Sequence, residues 1–169
     1  AQGETALRLA FNCNKTDVVK VLDELMEAAQ QAAQPLIKAA GEGQTQDVER
    51  FLAEHRRSSA KLKAVLKAVK RDDHTALVEA TRQGHLEVVN LLLEAGAEPN
   101  EKTLIMGWTA LAYAASKGHI KVVERLYVCA RSSSDAITIF TNALAAALFD
   151  TCSEPVVRQL LEYGADSAS

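Results

Sequence analysis

The chain has 169 residues, of which 48% are apolar and 24% are charged, and this composition excludes collagen-like, disordered and disulfide-scaffold chains. Its 8 glycines and 3 prolines are too few for a turn-rich β-sandwich, so a helical protein is expected. The net charge of −3 argues against nucleic-acid binding by the chain as a whole. No segment has the ~18 to 20 unbroken apolar residues that a membrane-spanning helix needs.

The three cysteines, Cys13, Cys129 and Cys152, lie far apart, and no pair has the short spacing of a zinc or redox motif. We therefore expect reduced thiols in a cytoplasmic or nuclear protein, each serving as a small packing residue. The chain does not open with methionine, so we expect it to be part of a longer protein.

Five units of two helices each are predicted along the chain. They span about residues 3–32, 33–55, 72–100, 105–131 and 140–166. Equivalent positions in the five units are Thr5, Gln34, Thr75, Thr109 and Asn142, so the successive steps are 29, 41, 34 and 33 residues. In the second helix of a unit, apolar residues recur at the spacing of one buried helix face.

The third and fourth units carry the repeated pattern most fully. Unit three reads Thr75-Ala76-Leu77, then Gly84-His85, then Val88-Val89, and unit four reads Thr109-Ala110-Leu111, then Gly118-His119, then Val122-Val123. With a step close to 33 residues, the sequence resembles the ankyrin-repeat family, most strongly over residues 73–130. The resemblance implies an all-α solenoid of stacked helix-turn-helix units. The two histidines are expected to hydrogen-bond the backbone of a neighbouring unit.

The two irregular steps predict departures from the regular array. The step of 29 leaves no room for a finger (the turn that joins two units), so residues 24–30 are expected to prolong a helix. The step of 41 accommodates an inserted amphipathic helix over about residues 57–71, with a basic face that includes Lys63, Lys67 and Lys70. That face is interpreted either as a site for anions or a partner or as an ordinary solvated face.

A search for catalytic chemistry finds no phosphate-binding glycine loop, no His-Glu-x-x-His metal pair and no Gly-x-Ser-x-Gly nucleophile motif. The triplet Asp72-Asp73-His74 lies where a finger turn is expected, and aspartate is an ordinary turn residue. We therefore expect no enzyme, cofactor, metal or small-molecule substrate. The alternative is a nucleophilic Cys13 or Cys152 beside a histidine, which ordinary thiol reactivity would exclude.

The family resemblance implies that finger tips and exposed positions of the first helices contact a partner. Carried onto this chain, those positions are Arg71, Asp72, His74, Glu79, Arg82 and Gln83 in unit three, Ile105, Met106, Trp108, Tyr113, Ser116 and Lys117 in unit four, and Phe140, Thr141, Phe149 and Asp150 in unit five. Unit four stands out because aromatic residues and methionine are enriched in binding hot spots. The alternative for Trp108 is that it folds back against a neighbouring finger.

Two functions follow from these expectations. The first is a non-catalytic interaction module that docks a partner peptide or domain on its concave face, which the fingers and inner helices form. The second is an intramolecular scaffold or regulatory array that packs on another domain of a larger parent protein. Because repeat arrays share a scaffold and differ in what they bind, the fold alone does not separate the two.

Overall fold

The computed structural model describes residues 15–56, 59–68, 74–103, 105–131, 135–149 and 153–166. Within these ranges the regular structure is entirely helical, which confirms the prediction of an all-α solenoid. The helices are α1 (Lys15–Glu42), α2 (Thr45–His55), α3 (Ser59–Lys67), α4 (Ala76–Gln83), α5 (Leu86–Glu94), α6 (Ala110–Ser116), α7 (Ile120–Ala130), α8 (Ala136–Phe149) and α9 (Glu154–Asp166).

The helices form two layers. Helices α1, α4, α6 and α8 stack in chain order as the first layer, and α2, α5, α7 and α9 stack as the second. Each second-layer helix also packs on the first-layer helix that precedes it along the array. The core fills the space between the layers with fully buried aliphatic side chains such as Leu36, Val88 and Leu92. Each such side chain stabilises the fold by roughly 1.5–3 kcal/mol.

Helix α1 runs without a break through the predicted boundary between units one and two. It spans 28 residues, with Pro35 inside it. The short step along the sequence leaves no residues for a finger here, so the helix continues instead. Its buried residues Ala33, Leu36, Ile37 and Ala40 follow the spacing of one helix face, and that face packs on α4.

A histidine-on-glycine contact joins successive units in the array. His85 donates its Nε2 hydrogen to the carbonyl oxygen of Gly41 at 3.1 Å, and His119 donates to that of Arg82 at 3.0 Å. Each ring lies on a turn glycine with positive φ, Gly43 under His85 and Gly84 under His119. The predicted hydrogen bonds between units are therefore confirmed.

The inserted helix α3 packs on α1 and α2. Leu62, Val65 and Leu66 are buried on one of its faces, while Lys63 and Lys67 are exposed on the other. The predicted amphipathic insertion is thus confirmed over the described part of this segment. Lys70 and the predicted end of the insertion lie outside the described residues.

Helix α8 begins earlier than the sequence pattern predicts. The segment Ala136–Phe149 contains neither glycine nor proline, so nothing in it interrupts a helix before Asn142. Phe140 consequently lies inside α8, where it is buried with its ring centroid 5.2 Å from that of Tyr127. The prediction that Phe140 is an exposed contact residue is therefore wrong.

Candidate partner-binding surface

The finger of unit four is a closed turn between Thr103 and Trp108. The backbone N–H of Thr103 donates to the carbonyl of Trp108, and that of Gly107 donates to the carbonyl of Thr103, both at 2.9 Å. The Trp108 N–H donates in turn to the Thr103 hydroxyl at 3.2 Å. Gly107 has a φ of +65°, a conformation that glycine adopts more readily than other residues. These bonds give the finger a defined shape.

The finger carries two large apolar side chains at its tip. Ile105 is 71% exposed and Met106 is 53% exposed. Behind the tip, Trp108 is half-buried and meets the ring of Tyr113 edge-on, with 5.2 Å between the centroids. Trp108 thus packs on the first helix of its own unit while part of its surface stays accessible.

A polar cluster of His74, Glu79 and Arg82 lies beside these aromatic rings. Glu79 Oε1 accepts a hydrogen bond from Arg82 at 2.7 Å, and Glu79 Oε2 lies 3.2 Å from His74 Nδ1. The His74 ring also meets Tyr113 edge-on at 5.3 Å. The polar cluster therefore joins the start and the end of α4 and contacts α6 through Tyr113.

Two opposing effects act on the Glu79 carboxyl. Burial raises its pKa, but the hydrogen bonds and charges of Arg82 and His74 together outweigh burial and hold the pKa below its ordinary value. Glu79 is therefore ionised at neutral pH although its side chain is buried. The sequence-based expectation that Glu79 is an exposed contact residue is wrong because its side chain is buried, and its pairing with Arg82 and His74 was not predicted. The available indication was its spacing, five residues after His74 and three before Arg82.

The described contact residues predicted in units three and four differ in solvent exposure. Ile105, Met106, Gln83 and Lys117 are exposed, and Trp108, His74 and Arg82 are half-buried. Tyr113 and Ser116 are buried, and the Ser116 hydroxyl donates to the carbonyl of Tyr113 at 3.1 Å. Their predicted exposure is wrong because α4 and α8 pack against α6 from its two sides.

The remaining predicted residues lie away from the finger in the chain. Phe149 is 83% exposed at the C-terminal end of α8. On α3, Lys63 is exposed and Lys67 forms an ion pair of 3.0 Å with Glu98. The hydrogen bond and the charge of Glu98 raise the pKa of Lys67, with a further contribution from Glu101. Thr141 is exposed on α8. The residues outside the described ranges are Cys13, Arg71, Asp72, Asp150 and Cys152.

Among the described residues, no group of three or more His, Cys, Asp and Glu side chains is arranged to hold a metal ion. The helices in the described ranges include none with both the length and the apolar character needed to cross a membrane.

Comparison with known proteins identifies the family. The family model described as ankyrin repeats (3 copies) matches residues 22–103 and 58–138, which together cover more than half of the chain. The chain therefore belongs to the ankyrin-repeat family, whose members are typically non-catalytic protein-interaction modules.

One curated relative also matches. It is the ankyrin repeat and KH domain-containing protein mask-1 of Caenorhabditis elegans, 44% identical over 55 residues. The matched segment is 32% of this chain and 2% of that protein.

Proposed function

We propose that this chain binds a protein partner, a peptide segment or a folded domain, on a surface that we call the finger surface. It consists of Ile105, Met106 and Trp108 together with the polar cluster. The observation that carries the proposal is the exposure of two large apolar side chains on a finger that backbone hydrogen bonds hold in shape.

The energetic argument rests on the shape of the finger before binding. A surface that is already ordered loses little conformational entropy on association, so more of the contact energy appears as affinity. Tryptophan is among the residue types that dominate interface energetics, and methionine is enriched at interfaces, so Trp108 and Met106 fit such a role. We expect them to supply the apolar centre of the interface.

The polar cluster supports selectivity at the same surface. Arg82 and His74 already share the Glu79 carboxylate, so a partner that buries Arg82 meets a guanidinium whose charge Glu79 balances. Gln83 and Lys117, at the ends of α4 and α6, are exposed and belong to the polar rim expected around an apolar interface centre. A partner with an apolar anchor and polar flanks fits this arrangement.

The proposed location is the cytoplasm or the nucleus, which the absence of a cysteine-pairing motif supports. The proposed activity is binding without catalysis, with no small-molecule substrate. A neighbouring domain of a longer parent protein remains the alternative occupant of the finger surface, and the experiment below separates it from an external partner.

The test is a capture experiment from native lysate with three forms of the chain. These are the wild type, a Met106→Ala, Trp108→Ala double variant, and a Val128→Ala control that changes an exposed side chain of α7 in the second layer. All three forms must first show the same helical circular dichroism, and their melting points must be recorded. We expect a partner that the wild type and the control capture and that the double variant loses.

A captured set that is the same for all three forms would contradict the finger surface as the binding site. If the wild type captures nothing and instead binds a purified neighbouring domain through Met106 and Trp108, the occupant is intramolecular.

A further inference from the structure

A cross-unit hydrogen bond recurs along the second layer. Arg125 Nε of α7 donates to Asn90 Oδ1 of α5 at 2.6 Å. One unit further, Gln159 Nε2 of α9 donates to Glu124 Oε1 of α7 at 2.8 Å. Both pairs are separated by 35 residues, and in both the later helix supplies the donor and the earlier helix the acceptor. The repeat therefore places a polar bridge at the same level of these two boundaries.

The equivalent bridge between α2 and α5 lacks its donor. Counting from the residues that precede the two helices, Gln44 and His85, the acceptor position is Glu49 and the donor position is Leu91. Leucine cannot donate a hydrogen bond. The Glu49 side chain is exposed and forms no hydrogen bond or ion pair with the described residues. The boundary between α2 and α5 thus has the acceptor carboxylate of Glu49 but no donor, whereas the next two boundaries have both.

A groove of about 330 Å³ lies at this same boundary, between α2, α3 and α5. Apolar side chains line it, among them Leu52, Leu62 and Leu91, and the carboxylates of Glu49 and Glu94 lie along it. Arg56 also lines the groove and stands seven residues after Glu49 on α2, which is about 10 Å along the helix. The groove therefore combines an apolar wall with two acidic residues, Glu49 and Glu94, and one basic residue, Arg56.

We propose that this groove binds an arginine of a partner protein, flanked in the partner by an aliphatic residue. The arginine would supply to Glu49 the donor that Leu91 cannot, in the manner in which Arg125 supplies one to Asn90. A guanidinium is planar and weakly hydrated, so it suits an apolar wall better than an ammonium group does. Arg56 sets the direction, because it repels a basic side chain at its own end of the groove.

This site lies in the second layer and does not depend on the finger surface. The inserted helix helps to form it, because Leu62 of α3 is one of the lining residues. A partner that uses both surfaces would contact the two layers of the array.

The test uses the full chain, ¹⁵N-labelled, and acetyl-Arg-Leu-amide as the probe. The matched control peptide carries citrulline, which has nearly the shape of arginine without its charge. We expect amide shift changes over residues 49–56 and 91–95 at about millimolar peptide. The citrulline peptide should bind roughly two- to five-fold more weakly, which is the range that an exposed ion pair contributes.

Three variants test the assignment. Glu49→Gln should weaken the preference for arginine over citrulline, whereas Glu162→Gln, which changes an exposed carboxylate of α9, should keep it unchanged. Leu91→Arg places a tethered arginine at the donor position, so it should abolish binding of the peptide.

Several results would overturn the proposal. One is an equal affinity for the arginine and citrulline peptides, and another is an unchanged preference for arginine in Glu49→Gln. The proposal also fails if the amide shift changes are confined to the finger surface or to a face between two copies of the chain, or if no amide shifts change at about 20 mM peptide. Peptide binding of undiminished strength in Leu91→Arg would contradict the bridge geometry.

Discussion

The contact between His119 and Gly84 makes a quantitative prediction about how the units are joined. Gly84 has a φ of +82°, and a Cβ atom added to it would lie 2.7 Å from the His119 ring. Gly84→Ala therefore has two costs, the strain of a positive φ and the displacement of the ring. The strain alone costs roughly 1–2 kcal/mol. Displacing the ring also loses the hydrogen bond to Arg82, which is worth about 1 kcal/mol, together with its packing on the turn.

Gly96 supplies a matched control for the backbone strain. Its φ is +93°, and an added Cβ would have no atom within 4 Å. Gly96→Ala should thus cost about 1–2 kcal/mol of unfolding free energy from strain alone. Gly84→Ala should cost about 3–4 kcal/mol, since the loss of the ring contact and its hydrogen bond is added.

The assay is equilibrium urea unfolding of both variants, together with His119→Ala and the double variant Gly84→Ala, His119→Ala. In the background without the ring, the cost of Gly84→Ala should fall to the cost measured for Gly96→Ala, because only strain then remains. The reasoning is refuted if Gly84→Ala and Gly96→Ala cost the same in the wild-type background, or if the excess persists without the histidine.

Two further predictions concern the polar cluster and the inserted helix. The pKa of Glu79 is lowered in the folded chain, so the ionised carboxylate contributes its full stability above the ordinary value of 4.5 and loses it as the pH falls through the lowered value. Glu79→Gln should therefore destabilise the fold at neutral pH by about 1–3 kcal/mol and should flatten the pH dependence of urea unfolding below 4.5. Equal pH slopes for the wild type and the variant would contradict the ion pair. Leu62→Ala should cost about 2–4 kcal/mol because the side chain is buried, whereas the exposed neighbour Lys63→Ala should stay within about 0.5 kcal/mol; equal thermal unfolding of the two variants would show that α3 does not pack on the array.

The sequence was sufficient to predict the stacking of units because the residues that join neighbouring units recur with the repeat period. Gly84-His85 and Gly118-His119 recur with the period, so their role in joining units could be inferred from sequence and spacing. The buried face of α3 was equally accessible, since Leu62, Val65 and Leu66 follow helical spacing.

The burial of individual side chains was not predictable where it depends on which neighbouring helix covers them. Tyr113 and Ser116 occupy positions that face solvent in a single unit, but α4 and α8 cover them in the array. The early start of α8 is another such case, because Phe140 gains burial by extending the helix. The groove beside Glu49 and Leu91 was not predictable from one repeat, because Glu49 lies before the inserted helix and Leu91 lies after it.

The measurement that tests the central proposal most directly is site-specific photo-crosslinking from the finger. A benzophenone amino acid is placed at Met106, and in a second protein at Val128, which is 55% exposed in the second layer. After irradiation in native lysate, the crosslinked peptides are identified by mass spectrometry. The account predicts a defined partner peptide that crosslinks from position 106 and is absent from position 128. A partner that crosslinks only from position 128 would contradict the finger surface as the binding site.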